Sequence, residues 1–230
     1  MRINKYLAGR LGISRRRADE ILQAGRITVD GTLVTVGLDV SDTNTVLIDG
    51  RPLPQEKKFE YVLLNKPVGY VCSRDGQGSY TIYDLLPREY NHLNPVGRLD
   101  KDSSGLLLLT NDGALHNELT HPSSQKEKVY IVTLNKPLAQ ADAEQITAGI
   151  QLFDGVSALG LRAMDQERRI WEVRMHEGRN RQIRRTFRAV GYIITTLQRM
   201  QFGDYKIGTL APGKYSLITL DELNDCGNHS

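Results

Sequence analysis

Hydrophobic residues recur at fourfold spacing at the start of the chain and in short alternating or continuous runs after that. Ile3, Leu7 and Leu11 predict one face of a first helix ended by Gly12. Ala18, Ile21 and Leu22 predict the core face of a second, with Ser14 as its N-cap and Gly25 as its end. Ile27-Thr28-Val29 and Thr32-Leu33-Val34 flank Asp30-Gly31, which predicts a tight hairpin, and Val46-Leu47-Ile48 before Asp49-Gly50 predicts a further strand. Beyond residue 58 the pattern predicts a strand over 59–64 stopped by Asn65-Lys66-Pro67, a mobile connection over 69–78 and one helical turn over 81–86. Leu106 to Leu109, bounded by Gly105 and Asn111, are enough for a buried strand but barely one turn of helix. A short helix capped by Asn111-Asp112 should follow, with Leu115 and Leu119 facing inward. Strands over 126–134 and 170–175 and a helix over 139–150 come next. A last helix, capped by Asn180 and ended by Gly191, should bury Ile183, Phe187 and Val190 and place Arg181, Arg184 and Arg188 on another face.

Pro52-Leu53-Pro54-Gln55-Glu56-Lys57-Lys58 is polar and carries two prolines, so it divides a module at 1–51 from a domain at 59–230. The chain of 230 residues has a net charge of +3, and the surplus is uneven. Residues 1–58 hold ten Lys or Arg against seven Asp or Glu, whereas the remainder is balanced at twenty each, which suggests an anionic partner for the front. Cys72 and Cys226 lie far apart, and no secretory core or membrane-length apolar run is present, so a cytoplasmic protein is expected. His92, His116, His121, His176 and His229 show no ligand spacing, and no metal is expected. Gly208 to Lys214 has the spacing of a phosphate-binding loop, but Tyr215 stands where a Ser or Thr is needed, which argues against nucleotide hydrolysis. Residues 224–230 should fray.

Two features break local rules. Arg15, Arg16 and Arg17 occupy the first turn of a helix, where the macrodipole disfavours cations unless an anion such as phosphate is the neighbour. Asp100 stands on a polar loop just before the leucine strand, with Arg98 two residues away, and a carboxylate on a rigidly mounted loop is well placed for chemistry. Spacing alone divides the arginine cluster evenly between a phosphate site and a solvated charged turn, and leaves Asp100 nearer to an ordinary acidic turn than to a catalytic one.

The wording of these stretches is more specific. GRLDKDSSGLLLLTNDG resembles the signature loop of pseudouridine synthases, particularly the branch acting on bacterial ribosomal RNA. RINKYLAGRLGISRRRADEILQAGRITVDGTLV is similar to the alpha-L RNA-binding domain, and EGRNRQIRRTF to the third synthase motif. The resemblance implies an α+β protein: a small alpha-L module, then a synthase domain on a mixed or antiparallel sheet. It implies isomerisation of uridine without a cofactor, with Asp100 catalytic, Arg184 pairing with it and Tyr130 stacking on the flipped base. Arg98 would fill the space the base leaves, Arg15, Arg16 and Arg17 would contact phosphate, and Arg181 and Gln182 would complete the RNA site. The implied partner is ribosomal RNA of either subunit, free or in a pre-ribosomal particle, met by a monomer. Two rivals stand beside this reading: a non-catalytic ribosome assembly factor, and a base-removing glycosidase using Asp100 and Asp102.

Overall fold

The computed structural model describes residues 1–41, 43–54, 59–76, 78–121 and 124–219. Cys226, His229, the expected frayed end at 224–230 and linker residues 55–58 lie outside the described residues. The chain forms two compact units, Met1–Phe59 with Asn111–Gly113, and Glu60–Thr110 with Ala114 onward.

In the N-terminal unit, α1 (Ile3–Leu11) ends at Gly12 in the left-handed region, and α2 (Arg15–Gln23) is capped by Ser14, whose side chain accepts the Arg17 N–H. Strands β1 (Ile27–Val29), β2 (Thr32–Leu33), β3 (Val46–Ile48) and β4 (Arg51–Pro52) pair antiparallel in the order β2-β1-β3-β4. Ile3, Leu7, Ala18, Ile21 and Leu22 meet Ile27, Val29 and Val46 in one core, so the fourfold spacing was read correctly. Pro52, taken as the first linker residue, instead pairs with Leu47 in β4, an edge strand where a missing N–H is tolerated.

The larger unit begins with β5 (Tyr61–Lys66), two 3-10 turns (Ile82–Leu85 and Arg88–His92), β6 (Asn94–Val96) and β7 (Ser104–Thr110). It continues through α3 (Gly113–Thr120), β8 (Lys128–Leu134), α4 (Gln140–Ala148), β9 (Ile150–Leu152), β10 (Gly155–Ser157), β11 (Gly160–Ala163) and β12 (Ile170–Met175). Helix α5 (Gln182–Ala189), β13 (Ile194–Phe202), β14 (Tyr205–Lys206) and β15 (Tyr215–Ile218) complete it. Among the described residues nine strands form one sheet, β11-β12-β8-β13-β7-β5-β15, with β6 on β7 and β14 on β13. Every pairing in it is antiparallel except β13 with β7, which gives the mixed sheet that was expected.

Strand β7 is central because both of its faces are covered. Leu106 and Leu108 enter one core with Tyr61 and Phe202, Leu107 and Leu109 another with Val62 and Ile82, and all four are fully buried. At about 2 kcal/mol for each buried leucine, this strand is a stiff mount for the loop that precedes it.

Three local expectations need correction. Strand β5 does not stop before Asn65: it runs through Lys66, which pairs with Gly105, because the ammonium finds acceptors inside the fold. The stretch 69–78 is tied down where it is described, through Val71 to Tyr80 and Ile82 and through Cys72 to Leu99. Asn180 does not cap α5: Arg181 holds the N-cap position in the left-handed region without a side-chain cap. After Lys214 a strand stands where a phosphate-binding loop needs a helix.

Candidate active site

The loop from Gly97 to Ser103 joins β6 to β7 and is held by its backbone. Leu99 is buried in a core that includes Tyr130, and its N–H and carbonyl both meet the Cys72 thiol at 3.4 Å. The Lys66 ammonium, itself fully buried, donates to the carbonyls of Asp100 at 3.0 Å, Ser103 at 2.7 Å and Pro67 at 3.0 Å. Arg184 donates to the carbonyls of Asp102 at 2.7 Å and Ile194 at 3.2 Å. Every one of these contacts to the loop falls on main chain, which leaves the Asp100 carboxylate, 35% exposed, directed by a fixed backbone.

Asp100, Arg98, Tyr130, Arg181, Arg184 and Arg199 line one cavity of about 1120 Å³. That is room for a nucleotide and more. Arg98 is exposed and lines the cavity. Tyr130 is 8% exposed and sits opposite Arg199 in the β8–β13 register.

The arginines are arranged differently from expectation. Arg184 does not pair with Asp100; its Nε lies 3.4 Å from Asp102 and its other donors face the Asp102 and Ile194 carbonyls and the Ser103 hydroxyl, because α5 places it over the loop. Arg181 takes the carboxylates. It grips both oxygens of Asp102 at 2.9 and 2.7 Å and reaches Asp100 at 3.5 Å. This fork holds the Asp102 carboxyl below its ordinary range, against a smaller opposing effect of burial. Burial in turn pushes the Arg184 guanidinium down, opposed by Asp102. Gln182 is also not free for a ligand. It is 2% exposed, its Nε2 donates to Ser157 and Glu177, and its Oε1 accepts from Arg179.

Two site residues escaped the sequence reading. Lys66 was taken as a strand stop, yet it is the strongest tie on the Asp100 loop; burial lowers its affinity for the proton, opposed by Cys72, Asp100 and Asp102. Arg199, 2% exposed, donates Nε to the Leu106 carbonyl at 2.8 Å and lies over the Phe202 ring. It has no mark in the sequence, since it stands in the mostly polar stretch Ile194–Phe202. A Cβ on Gly105 would lie 2.2 Å from the Arg199 carbonyl oxygen, so glycine is required where β7 and β13 run parallel.

In the N-terminal unit Arg15, Arg16 and Arg17 are exposed; Arg17 pairs with Glu20, and Arg15 touches Asn4 at 3.4 Å. Among the described residues no three His, Cys, Asp or Glu side chains gather as a metal site, and no helix is long and apolar enough to cross a membrane.

Residues 60–189 match the family model described as RNA pseudouridylate synthase, and residues 1–51 match that of the S4 domain. The chain is 37% identical over 228 residues to ribosomal small subunit pseudouridine synthase A of Escherichia coli, covering 97% of this chain and 98% of the relative. It is 32% identical over 229 residues to ribosomal large subunit pseudouridine synthase B of Bacillus subtilis, covering 96% and 93%. A crystal structure described as a pseudouridylate synthase aligns with a TM-score of 0.70 at 29% identity, covering 98% of this chain and 99% of that one.

Proposed function

The chain belongs to the RNA pseudouridylate synthase family, and we propose that it converts uridine to pseudouridine in ribosomal RNA through Asp100, without a cofactor. The observation that carries this reading is a carboxylate on a loop whose main chain is locked at Leu99, Asp100 and Asp102 by Cys72, Lys66 and Arg184, and whose side chain opens on a nucleotide-sized cavity. The isomerisation breaks the glycosidic bond to a ring nitrogen, turns the base and forms a bond to carbon, with no net redox change or hydrolysis. Asp100 acts as nucleophile or base in that exchange. Arg181 reaches its carboxylate at 3.5 Å, Arg184 keeps its loop in place, and Tyr130 stacks on the extruded uracil. Arg98 occupies the gap left in the RNA, where a planar cation stacks on bases and contacts phosphate. Arg15, Arg16 and Arg17 supply phosphate contacts that read shape rather than sequence.

Asp102 argues against the glycosidase alternative. Both of its oxygens accept from Arg181, so it stays ionised and has no proton to give as a general acid. Small-subunit RNA is the first substrate to test, since the small-subunit relative is more similar than the large-subunit one, 37% against 32%. The enzyme is taken to act as a cytoplasmic monomer.

The test uses unmodified small- and large-subunit RNA tritiated at the uracil carbon that becomes the glycosidic carbon. Wild-type protein should release tritium from one of them with the strand intact, and Asp100→Asn should release none. Free uracil and abasic RNA would establish the glycosidase. No release from RNA that the protein binds would leave an assembly factor.

A further inference from the structure

Phe153 lies at the tip of the β9–β10 hairpin and is 89% exposed, whereas Phe187 and Phe202 are at most 2% exposed. Such exposure of an aromatic ring is unfavourable in water, and a loose tip could fold the ring away. This tip is braced. Asp154 accepts a forked pair from Arg185 at 2.9 and 2.7 Å, and Arg179 donates to its carbonyl at 2.8 Å and its carboxylate at 3.1 Å. Arg179 also donates to the Val156 carbonyl at 2.7 Å, so the turn is held on both sides of its glycine. The Arg185 guanidinium lies 4.6 Å from the centre of the Phe153 ring, which fixes the ring from one side. Arg179 is at the same time a wall of the cavity that holds Asp100.

We propose that Phe153 is a stacking platform for an unpaired nucleobase of the RNA strand adjoining the target uridine. A ring backed by a guanidinium and open on its other face is built to receive a flat π-system. Arg185 backs the ring, and the exposed Arg188, three residues on along α5, suits a partner that carries phosphates together with its bases. An apolar protein segment would have to desolvate those arginines without compensation. The platform extends the RNA site beyond the flipped nucleotide. It rests on the reading that this cavity takes RNA.

The test is a Phe153→Trp variant titrated with single-stranded oligouridine and with a blunt RNA duplex. The native Trp171 is only 4% exposed, so the new indole is the responsive reporter. Oligouridine should quench its emission and the duplex should not. By anisotropy, Phe153→Ala should weaken oligouridine binding about tenfold at matched salt, and Phe153→Trp should restore it. In the tritium assay the loss in Phe153→Ala should fall on KM rather than kcat. Tritium release with unquenched indole and unchanged KM would overturn the platform alone. Quenching without tritium release from any ribosomal RNA would sustain the platform and sink the synthase reading. Self-association of the wild type that Phe153→Ala abolishes, with RNA binding unaltered, would make Phe153 a protein contact and overturn the proposal.

Discussion

In the N-terminal unit, Arg15, Arg16 and Arg17 keep their contacts local: one reaches Glu20, one touches Asn4, and all three heads are exposed. In the larger unit, Arg179, Arg181, Arg184 and Arg185 reach across the chain to Asp154, Asp100, Asp102 and main-chain carbonyls. Along the sequence the two clusters look the same. The difference lies in the acids that the fold brings to the second cluster from 25 to 82 residues away. A cluster left with its charge unspent suits phosphate, whereas a cluster already gripping carboxylates and carbonyls acts as scaffold for a site.

That contrast can be broken by mutation. Arg184→Met removes the donors that hold the Asp102 and Ile194 carbonyls, and is expected to lower kcat about a hundredfold as the Asp100 loop shifts. Its salt dependence of binding should stay that of the wild type. Arg181→Met frees Asp102 and removes the cation nearest Asp100; the expected fall in kcat is about tenfold, measured by single-turnover tritium release. Replacing Arg15, Arg16 and Arg17 together with Ala should raise KM and reduce the slope of log affinity against log salt by about two. A flat salt response in the wild type would remove the phosphate role from this cluster.

The smallest effect concerns acid. The Asp102 carboxyl is held below its ordinary value of 3.8, chiefly by the hydrogen bonds from Arg181. A depressed folded value means that its stabilising contribution is complete above the ordinary value and is lost as pH falls through the folded one. Melting curves from pH 7 down to pH 5 should therefore show no loss from this pair. Below pH of about 4 the wild type should lose stability that Asp102→Asn, with no carboxyl to titrate, has already lost.

Much of the framework was legible because it depends on neighbours in sequence. Fourfold spacing, Ser14 and Gly12 describe α1 and α2 since a helix closes its hydrogen bonds within a few residues. The four leucines announced a buried strand, and burial on both faces followed from their lack of alternation. Asp100 was legible through wording, as part of a long and specific loop. Lys66, Arg199 and the true partners of Arg181, Arg184 and Gln182 were not.

What the sequence determined by itself, then, was helices α1 to α5, the N-terminal hairpin, strands β3, β5, β7, β8 and β12, and the loop that carries Asp100; β4, β6, β9 to β11 and β13 to β15 were not read from it. Each feature that was read is governed by short-range periodicity, capping and turn chemistry. The tertiary structure alone decided which arginine meets which acid, why a lysine can be buried in β5, and that the exposed Phe153 stands against Arg185. Those outcomes depend on which strands become neighbours: a buried charge is tolerable only where distant main-chain and side-chain groups converge on it, and no local pattern encodes that convergence.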